Sequence, residues 1–234
     1  MFDALTPSEL EAVRLSLKVA AVSVVASLPL GFALAWLLAR FRFPGKTLVD
    51  AFIHLPLVLP PVVIGYFLLV LFGRRGPIGA WLEQAFGLVF AFRWTGAALA
   101  CALMGLPLMV RAIRQSLEAI DRRLESAAAT LGAGRLAVLA SVTLPLCLPG
   151  ILTGMLLSFA RSLGEFGATI TFVSNIPGET QTLPLAIYTY TQVPGGDPQA
   201  LRLCLLSVIL SLAALVLSEA LVRRAQRRIL GDAH

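Results

Sequence analysis

The first long apolar segment of the chain decides the class of fold, because it can cross a membrane. Residues 19–39 read VAAVSVVASLPLGFALAWLLA, and no charged side chain stands between Lys18 and Arg40. A helix needs about 20 mostly apolar residues to cross the hydrocarbon layer of a bilayer. The rest of the chain has the same character: 58% of its 234 residues are hydrophobic and 14% are charged. Soluble domains carry about 25% charged residues, so the sequence predicts an all-α membrane protein.

Four more apolar segments predict four more membrane spans. They cover about residues 51–72, 90–110, 136–160 and 203–222. Together with residues 19–39 they predict five transmembrane helices, which we assign to a single transmembrane domain over residues 1–234.

A further apolar segment, residues 166–177, is too short to cross the membrane. Non-helical backbone persists at membrane depth only where protein or a water-filled cavity covers it. We therefore predict a re-entrant or broken-helix segment here, beside a permeation path. Pro56, Pro60 and Pro61 favour a kink in the second span, because each removes a backbone hydrogen bond. His54, in the same span, is interpreted as a hydrogen-bonded structural histidine rather than a proton relay.

The distribution of basic residues predicts the orientation in the membrane. Lys and Arg are concentrated in cytoplasmic segments of membrane proteins. There are 12 basic residues in the 48 positions of segments 40–50, 111–135 and 223–234, against 7 in the 81 positions of segments 1–18, 73–93 and 161–202. The N-terminus is therefore expected outside the cell and the C-terminus in the cytoplasm.

Two local motifs predict how helices begin and pack. Thr6-Pro7-Ser8-Glu9 is a capping box with proline at the first helical position, so the first helix is expected to begin at Pro7. Gly150 and Gly154 form a GxxxG motif in the fourth span, which is interpreted as a place of close helix packing.

The longest inside loop, residues 111–135, has the pattern of an amphipathic helix. Apolar residues recur every three or four positions from Ile113 to Leu131, and the opposite face is charged. Glu118 and Arg122 are spaced for an i,i+4 ion pair, and the helix is expected to stop at Gly132. Mixed charge argues against a helix that lies on lipid. Packing on the same protein and docking in a partner's groove both remain open.

The chain shows no nucleotide-binding motif of its own. Gly45-Lys46-Thr47 ends like a P-loop, but Arg40 stands where that motif needs a glycine. We therefore expect that the chain is not an enzyme, with no catalytic residues, no metal site and no cofactor bound by this chain.

Ser126-Ala127-Ala128, Gly132, Val142 and Leu144-Pro145 are spaced in a recognisable pattern over residues 126–145. This pattern resembles the EAA loop of ABC-importer permease subunits, which is Glu-Ala-Ala, three residues, Gly, nine residues, Ile, one residue and Leu-Pro. Ser126 occupies the glutamate position and Glu125 stands one residue early, so the side chain that makes the acidic contact with the ATPase is left open. The resemblance implies that this helix docks into a separate ATPase. The coupling residues would be Leu124, Glu125, Ser126, Ala127, Ala128, Gly132, Leu144 and Pro145, with Val142 in place of the isoleucine.

Four further stretches are distinctive, namely HLPLVLPP at 54–61, GRRG at 73–76, ARSLGEFGATITF at 160–172 and NIPGETQTLP at 175–184. They resemble bacterial molybdate permease subunits over nearly the whole chain, and sulfate/thiosulfate permeases less closely. It implies the type I ABC importer permease fold, with import of molybdate across the bacterial inner membrane by alternating access. The implied partners are membrane lipid, a second copy of the chain, a cytoplasmic ABC ATPase dimer carrying ATP-Mg, and an extracytoplasmic molybdate-binding protein. No nucleic acid is expected. Sulfate, thiosulfate and tungstate are the alternative substrates.

The segment after the fourth span is the candidate translocation path. Its residues are small, hydroxylated or charged: Arg161, Ser162, Gly164, Glu165, Gly167, Thr169 and Thr171. Arg161 is expected first to pair with Glu165, four residues on, and otherwise to offset the charge of an anion. The outer surfaces around 73–76 and 175–184 would receive the binding protein.

An ion-coupled secondary transporter is the alternative from a different class. Such a protein needs ionisable residues within its spans or an inverted repeat. The candidates here are His54, Glu165 and Glu219. A purely structural membrane anchor is a third interpretation.

Overall fold

The structure is a computed structural model and describes residues 5–230. Residues 231–234, the end of the basic C-terminal segment, lie outside the described residues, as do residues 1–4. Every regular element of the described chain is helical. The helices are α1 (Pro7–Arg40), α2 (Lys46–Val58), α3 (Pro61–Phe72), α4 (Pro77–Phe86), α5 (Trp94–Ala119), α6 (Arg122–Thr130), α7 (Arg135–Val138), α8 (Leu144–Leu163), α9 (Gly167–Val173), α10 (Leu183–Thr191) and α11 (Asp197–Leu230), with a π turn at Leu139–Thr143.

The all-α class with five spans is confirmed. Four helical stretches are long and apolar enough to cross a membrane, namely Pro7–Arg40, Trp94–Ala119, Arg135–Leu163 and Asp197–Leu217. The pair α2 and α3, which is bent by 110°, makes the fifth span when the two helices are counted together. The second predicted span is thus a broken helix and not a single rod. Pro60 and Pro61 lie at the break, where a missing N–H costs least, while Pro56 stays inside α2.

The third span differs from its predicted bounds at both ends. Residues 90–93 are a turn, in which Phe92 has a positive φ of 59°, and the helix begins at Trp94. At the other end α5 continues past Val110 to Ala119, because Ile113 and Leu117 are fully buried in the core. The start of the predicted inside loop is therefore a continuation of helix α5.

The single amphipathic helix predicted from Ile113 to Leu131 is wrong. The chain breaks between α5 and α6, where Asp121 begins α6 by accepting a hydrogen bond of 2.9 Å from the Arg123 backbone N–H. The break also removes the predicted ion pair of Glu118 with Arg122. Glu118 pairs with Arg114 in its own helix instead, at 2.8 Å.

The core of the molecule lies where α1, α5 and α8 pack together. Both glycines of the GxxxG motif are in close contact with α5. A Cβ at Gly150 would come 2.2 Å from Cβ of Ser116, and one at Gly154 would come 3.0 Å from the carbonyl oxygen of Met109. The predicted close packing of this motif is confirmed.

Polar contacts join α1 to the outer part of the fold. The capping box of Thr6 and Glu9 is present as predicted. Glu9 also accepts a hydrogen bond of 2.6 Å from Arg202 of α11, and the Ser16 hydroxyl accepts one of 2.6 Å from the backbone N–H of Leu183. The start of α1 is thereby fixed to both α10 and α11.

Candidate functional site

Helix α6 is the least covered element among the candidate site residues. Seven of its nine residues are exposed, and Glu125 and Ala128 are half-buried. Two leucines here lack cover, Leu124 with 50% of its surface exposed and Leu131 with 89%. Gly132 follows with a left-handed φ of 90° and ends the helix, as the sequence predicted. The segment therefore leaves apolar surface uncovered in the single chain as described.

Glu125 is directed into the protein and away from the exposed face of α6. One of its carboxylate oxygens, Oε1, accepts a hydrogen bond of 2.5 Å from the Arg40 guanidinium and another of 2.7 Å from the Thr143 hydroxyl. The side chain of neighbouring Ser126 is exposed, and its hydroxyl donates to the Arg122 carbonyl within α6 at 3.1 Å.

Sequence reasoning missed these partners of Glu125. Arg40 lies 85 residues away in sequence and Thr143 lies 18 residues away, and no helical or strand period connects such positions. The only sequence feature that points to the contact of Arg40 with Glu125 is that Arg40 directly follows the first predicted span, on the side predicted to be cytoplasmic.

The other coupling positions surround the start of the fourth span. The helix from Arg135 to Leu163 is continuous but contains the π turn Leu139–Thr143. Leu144 and Pro145 follow the π turn directly and begin α8, with Leu144 half-buried and Pro145 exposed. Ser126 and Ala127 are exposed on α6.

A second group of candidate residues lies at the other end of α8. Arg161 pairs with Glu165 at 2.7 Å, as predicted. The second carboxylate oxygen of Glu165 accepts a hydrogen bond of 2.8 Å from the Ala168 backbone N–H. Only 1% of the Glu165 side chain is exposed. Its buried carboxylate neutralises Arg161 with one oxygen and caps the short helix α9 with the other.

The hydroxyl groups predicted for the path are held inside the protomer. Ser162 donates to the Ser158 carbonyl at 2.8 Å and lies 3.1 Å from the Ser23 hydroxyl. Thr169 donates to the Phe166 carbonyl at 2.8 Å. Of the seven candidates, Ser162, Glu165 and Thr169 are buried, Arg161, Gly167 and Thr171 are half-buried, and Gly164 is exposed.

Helix α9 is packed tightly on the bent span. A Cβ at Gly65 of α3 would come 2.5 Å from the carbonyl oxygen of Ala168, and one at Gly167 would come 2.8 Å from Cβ of Pro61. The segment predicted as re-entrant or broken is therefore a seven-residue helix that forms one wall with α3. It ends at Ser174, which has a positive φ of 64°.

The loop after α9 is ordered by its own polar side chains. The Asn175 amide donates to the Thr189 hydroxyl at 2.8 Å, and the Gln181 amide donates to Asn175 at 3.0 Å. The Ile176 backbone N–H donates to Thr180 at 2.9 Å. This loop and the exposed Arg74 lie in segments predicted to face outward.

His54 has the hydrogen bond that the sequence predicted. Its Nδ1 lies 2.8 Å from the Asp50 carbonyl oxygen, within α2. The ring lines a cavity of about 320 Å³ together with side chains from the end of α5. Arg114 crosses this cavity to Asp50 at 3.1 Å, so α2 and α5 are joined by an ion pair.

Comparison with known proteins identifies a family. Residues 27–229 match the family described as binding-protein-dependent transport system inner membrane component. The chain is 60% identical over 224 residues to the molybdenum transport system permease protein ModB of Escherichia coli strain K12, an alignment that covers 96% of this chain and 98% of that protein. It is 37% identical over 225 residues to the sulfate transport system permease protein CysT of the same strain, covering 96% of this chain and 80% of that protein.

Solved structures share the fold at much lower identity. A bacterial ABC transporter involved in the import of alginate matches with a TM-score of 0.74 and 15% identity, over 94% of this chain and 80% of that chain. The MetNI methionine ABC transporter matches with a TM-score of 0.73 and 17% identity, over 96% of this chain and 99% of that chain. At these identities the likeness establishes the arrangement of helices alone.

Proposed function

Because the chain belongs to the family of binding-protein-dependent transport system inner membrane components, we propose that it is the membrane-spanning subunit of an ATP-driven molybdate importer. The assignment of molybdate as the substrate rests on the 60% identity to a molybdenum transport permease over 96% of the chain. Identity to the sulfate permease is 37% over the same share, which favours molybdate over sulfate. Family membership also removes the ion-coupled secondary transporter from consideration.

The proposed transport step is the passage of the molybdate dianion through a path that shields it from lipid. Transfer of an unshielded charge into hydrocarbon costs tens of kcal/mol, on the order estimated from Born solvation. A path between two copies of the chain removes this cost if its wall presents backbone, hydroxyl groups and small side chains. Four of the candidates reach the protomer surface in this region: Gly164 is exposed, and Arg161, Gly167 and Thr171 are half-buried.

A second copy of the chain would close that path. The bent span supports this arrangement, since large apolar side chains of α2 and α3 are uncovered in the single protomer. Val58 has 81% of its surface exposed, Phe52 has 75% and Tyr66 has 58%. These residues flank the 110° bend, on the same span that packs against α9.

Energy would come from a separate cytoplasmic ATPase dimer that receives α6 in a cleft and carries the ATP-Mg. The exposed Leu124 supports this role, because apolar side chains left uncovered on a short helix are typical of helix-in-groove recognition. When ATP closes the ATPase dimer, the two α6 helices approach one another and the path opens outward; hydrolysis returns it to the inward state. This requires the N-terminus outside and the C-terminus in the cytoplasm.

A molybdate-binding protein outside the membrane would deliver the substrate. Its proposed receiving surfaces are the loop 73–76, which exposes Arg74 and Arg75, and the ordered loop 175–184. Selectivity is assigned mainly to that protein, since tight binding inside the path would oppose release.

Reconstituted transport with oxyanion competition tests this function. The permease, its ATPase and its binding protein are placed in proteoliposomes, and labelled molybdate uptake is measured with excess unlabelled molybdate, tungstate or sulfate. We expect uptake that needs hydrolysable ATP and that sulfate does not suppress. A non-hydrolysable ATP analogue is the control. Uptake driven by an ion gradient alone, or suppressed equally by sulfate and molybdate, would contradict the proposal.

A further inference from the structure

One carboxylate joins three separate segments at the end of the molecule that carries α6. Oε1 of Glu125 accepts hydrogen bonds from Arg40, the last residue of α1, and from Thr143, the last residue of the π turn. Glu125 itself lies in α6. The three side chains therefore connect the coupling helix to the first and the fourth spans, and we call them the Arg40–Glu125–Thr143 junction.

The junction is sheltered and its geometry is fixed from several sides. The exposed share of the side chain is 10% for Arg40 and 20% for Glu125, and Thr143 is buried. The Arg40 guanidinium carbon lies 5.4 Å from the centre of the Trp36 ring, within the range of a cation–π contact. An ion pair held in this way has one arrangement, whereas an exposed pair of long side chains samples many.

The junction lies at a structural irregularity of the fourth span. Thr143 ends the π turn Leu139–Thr143, and α8 begins at the next residue. Single π turns in otherwise α-helical segments are frequent at functional sites, because the wider turn breaks the regular hydrogen-bond ladder. Through the Thr143 hydroxyl, Glu125 therefore contacts the fourth span at its π turn, where the helix is irregular.

We infer that Glu125 is a positioning residue that transmits the movement of α6 to α1 and α8, and that it is not the acidic contact with the ATPase. The inference rests on the proposed function, in which the ATPase moves α6. Both hydrogen-bond donors of the junction come from this chain, so an ATPase docked on the exposed face of α6 meets Leu124 and Ser126 instead.

Charge reversal in the reconstituted importer tests the inference. Two quantities are measured for each variant: the amount of ATPase that copurifies with the permease, and molybdate taken up per ATP hydrolysed. We expect Glu125→Ala to retain the ATPase while uptake per ATP falls about tenfold, within the range of effects seen along coupled networks. Arg40→Glu and Glu125→Arg alone should fall as far. The double variant should recover to within about threefold of the unchanged protein, because the pair is restored with opposite polarity.

Two further variants keep the test decisive. Glu118→Ala is the matched control, because it removes a carboxylate that pairs with Arg114 inside one helix and joins no second element at that contact; it should leave both quantities unchanged. Thr143→Val keeps the shape of the side chain and removes only the hydroxyl donor, and we expect uptake per ATP to fall about threefold. If Glu125→Ala does not accumulate, Thr143→Val and the double reversal decide the outcome.

Three results would overturn the inference. One is release of the ATPase by Glu125→Ala to the extent expected for Leu124→Asp, since Glu125 would then be the contact itself. The second is an unchanged uptake per ATP in Glu125→Ala or Thr143→Val. The third is a double reversal that recovers nothing. Failure of the proposed function is distinguishable from all three, because the unchanged protein would then show no ATP-driven uptake.

Discussion

The two short helices at opposite ends of the fourth span, α6 and α9, are stabilised in different ways. Helix α6 has nine residues, of which seven are exposed. Helix α9 has seven residues, and four of them, Ala168, Thr169, Phe172 and Val173, are buried. Isolated helices shorter than about 12 residues are marginal in water, so the exposed helix α6 is not stable through its own hydrogen bonds alone.

The difference shows where each helix obtains its stability. Helix α9 is held by its own chain: Glu165 caps it, and α3 packs against it at Gly65. Helix α6 has a capped start at Asp121 and the contacts of Glu125, but none of its residues is buried in the single chain as described. We interpret α9 as a fixed wall and α6 as a surface completed by a partner.

The largest expected loss of stability comes from removing the Glu165 carboxylate, which anchors α9. In Glu165→Ala, Arg161 loses its ion pair and the start of α9 loses its cap, so we expect the free energy of unfolding to fall by about 3 kcal/mol. The free energy of unfolding is measured by denaturing the protein in detergent micelles. Glu118→Ala is the control, because that carboxylate is half exposed and its removal should cost about 0.5 kcal/mol. Equal losses in the two variants would mean that α9 is no better anchored than a surface pair.

The next prediction concerns α6, where a substitution should weaken binding of the ATPase and leave the stability of the permease unchanged. Leu124→Asp places a charge on a side chain that is 50% exposed, so the chain should fold normally. Loss of an apolar anchor at an interface costs about 2 kcal/mol, or about 30-fold in affinity for the ATPase, and transport should be abolished. ATPase binding to the solubilised permease is the measurement.

Leu88→Asp is the matched control for Leu124→Asp. Leu88 is also 50% exposed, but it precedes α5, whereas Leu124 follows the far end of that 26-residue helix. ATPase binding should be unchanged in this variant. Unchanged binding in Leu124→Asp would instead remove the distinction between the two short helices.

A smaller loss of stability is expected from a substitution at the contact between α3 and α9. Gly65→Ala introduces a Cβ 2.5 Å from the carbonyl oxygen of Ala168, so one helix has to shift. Overpacking of this kind costs about 1.5 kcal/mol of unfolding free energy. Gly134→Ala serves as control, because the structure describes no neighbouring atom within 4 Å of that Cβ, and it should change stability by less than about 0.5 kcal/mol. The same loss in both variants would show that α9 is loosely packed.

Much of the coupling region and of the candidate translocation path was predictable, because the sequence features that predict them are local. The end of α6 near Gly132 follows from a residue that tolerates a left-handed φ, here 90°. The Arg161–Glu165 pair follows from a four-residue spacing on one helix. The division of 113–131 into two helices was missed, because the apolar period continues across Ile120 and Asp121 although its two halves face different surroundings.

The sequence by itself determined the class of protein, the number of spans and the residues at which α1 begins and α6 ends. These properties depend on segment length, on the absence of charge and on contacts within four residues. All three involve residues that are close together in the sequence. Only the tertiary structure decided that Ile113 and Leu117 of α5 are buried in the core, that α9 packs on α3 and that Glu125 meets Arg40 and Thr143. Such contacts join residues that are distant in sequence, and their existence depends on how whole helices pack against one another.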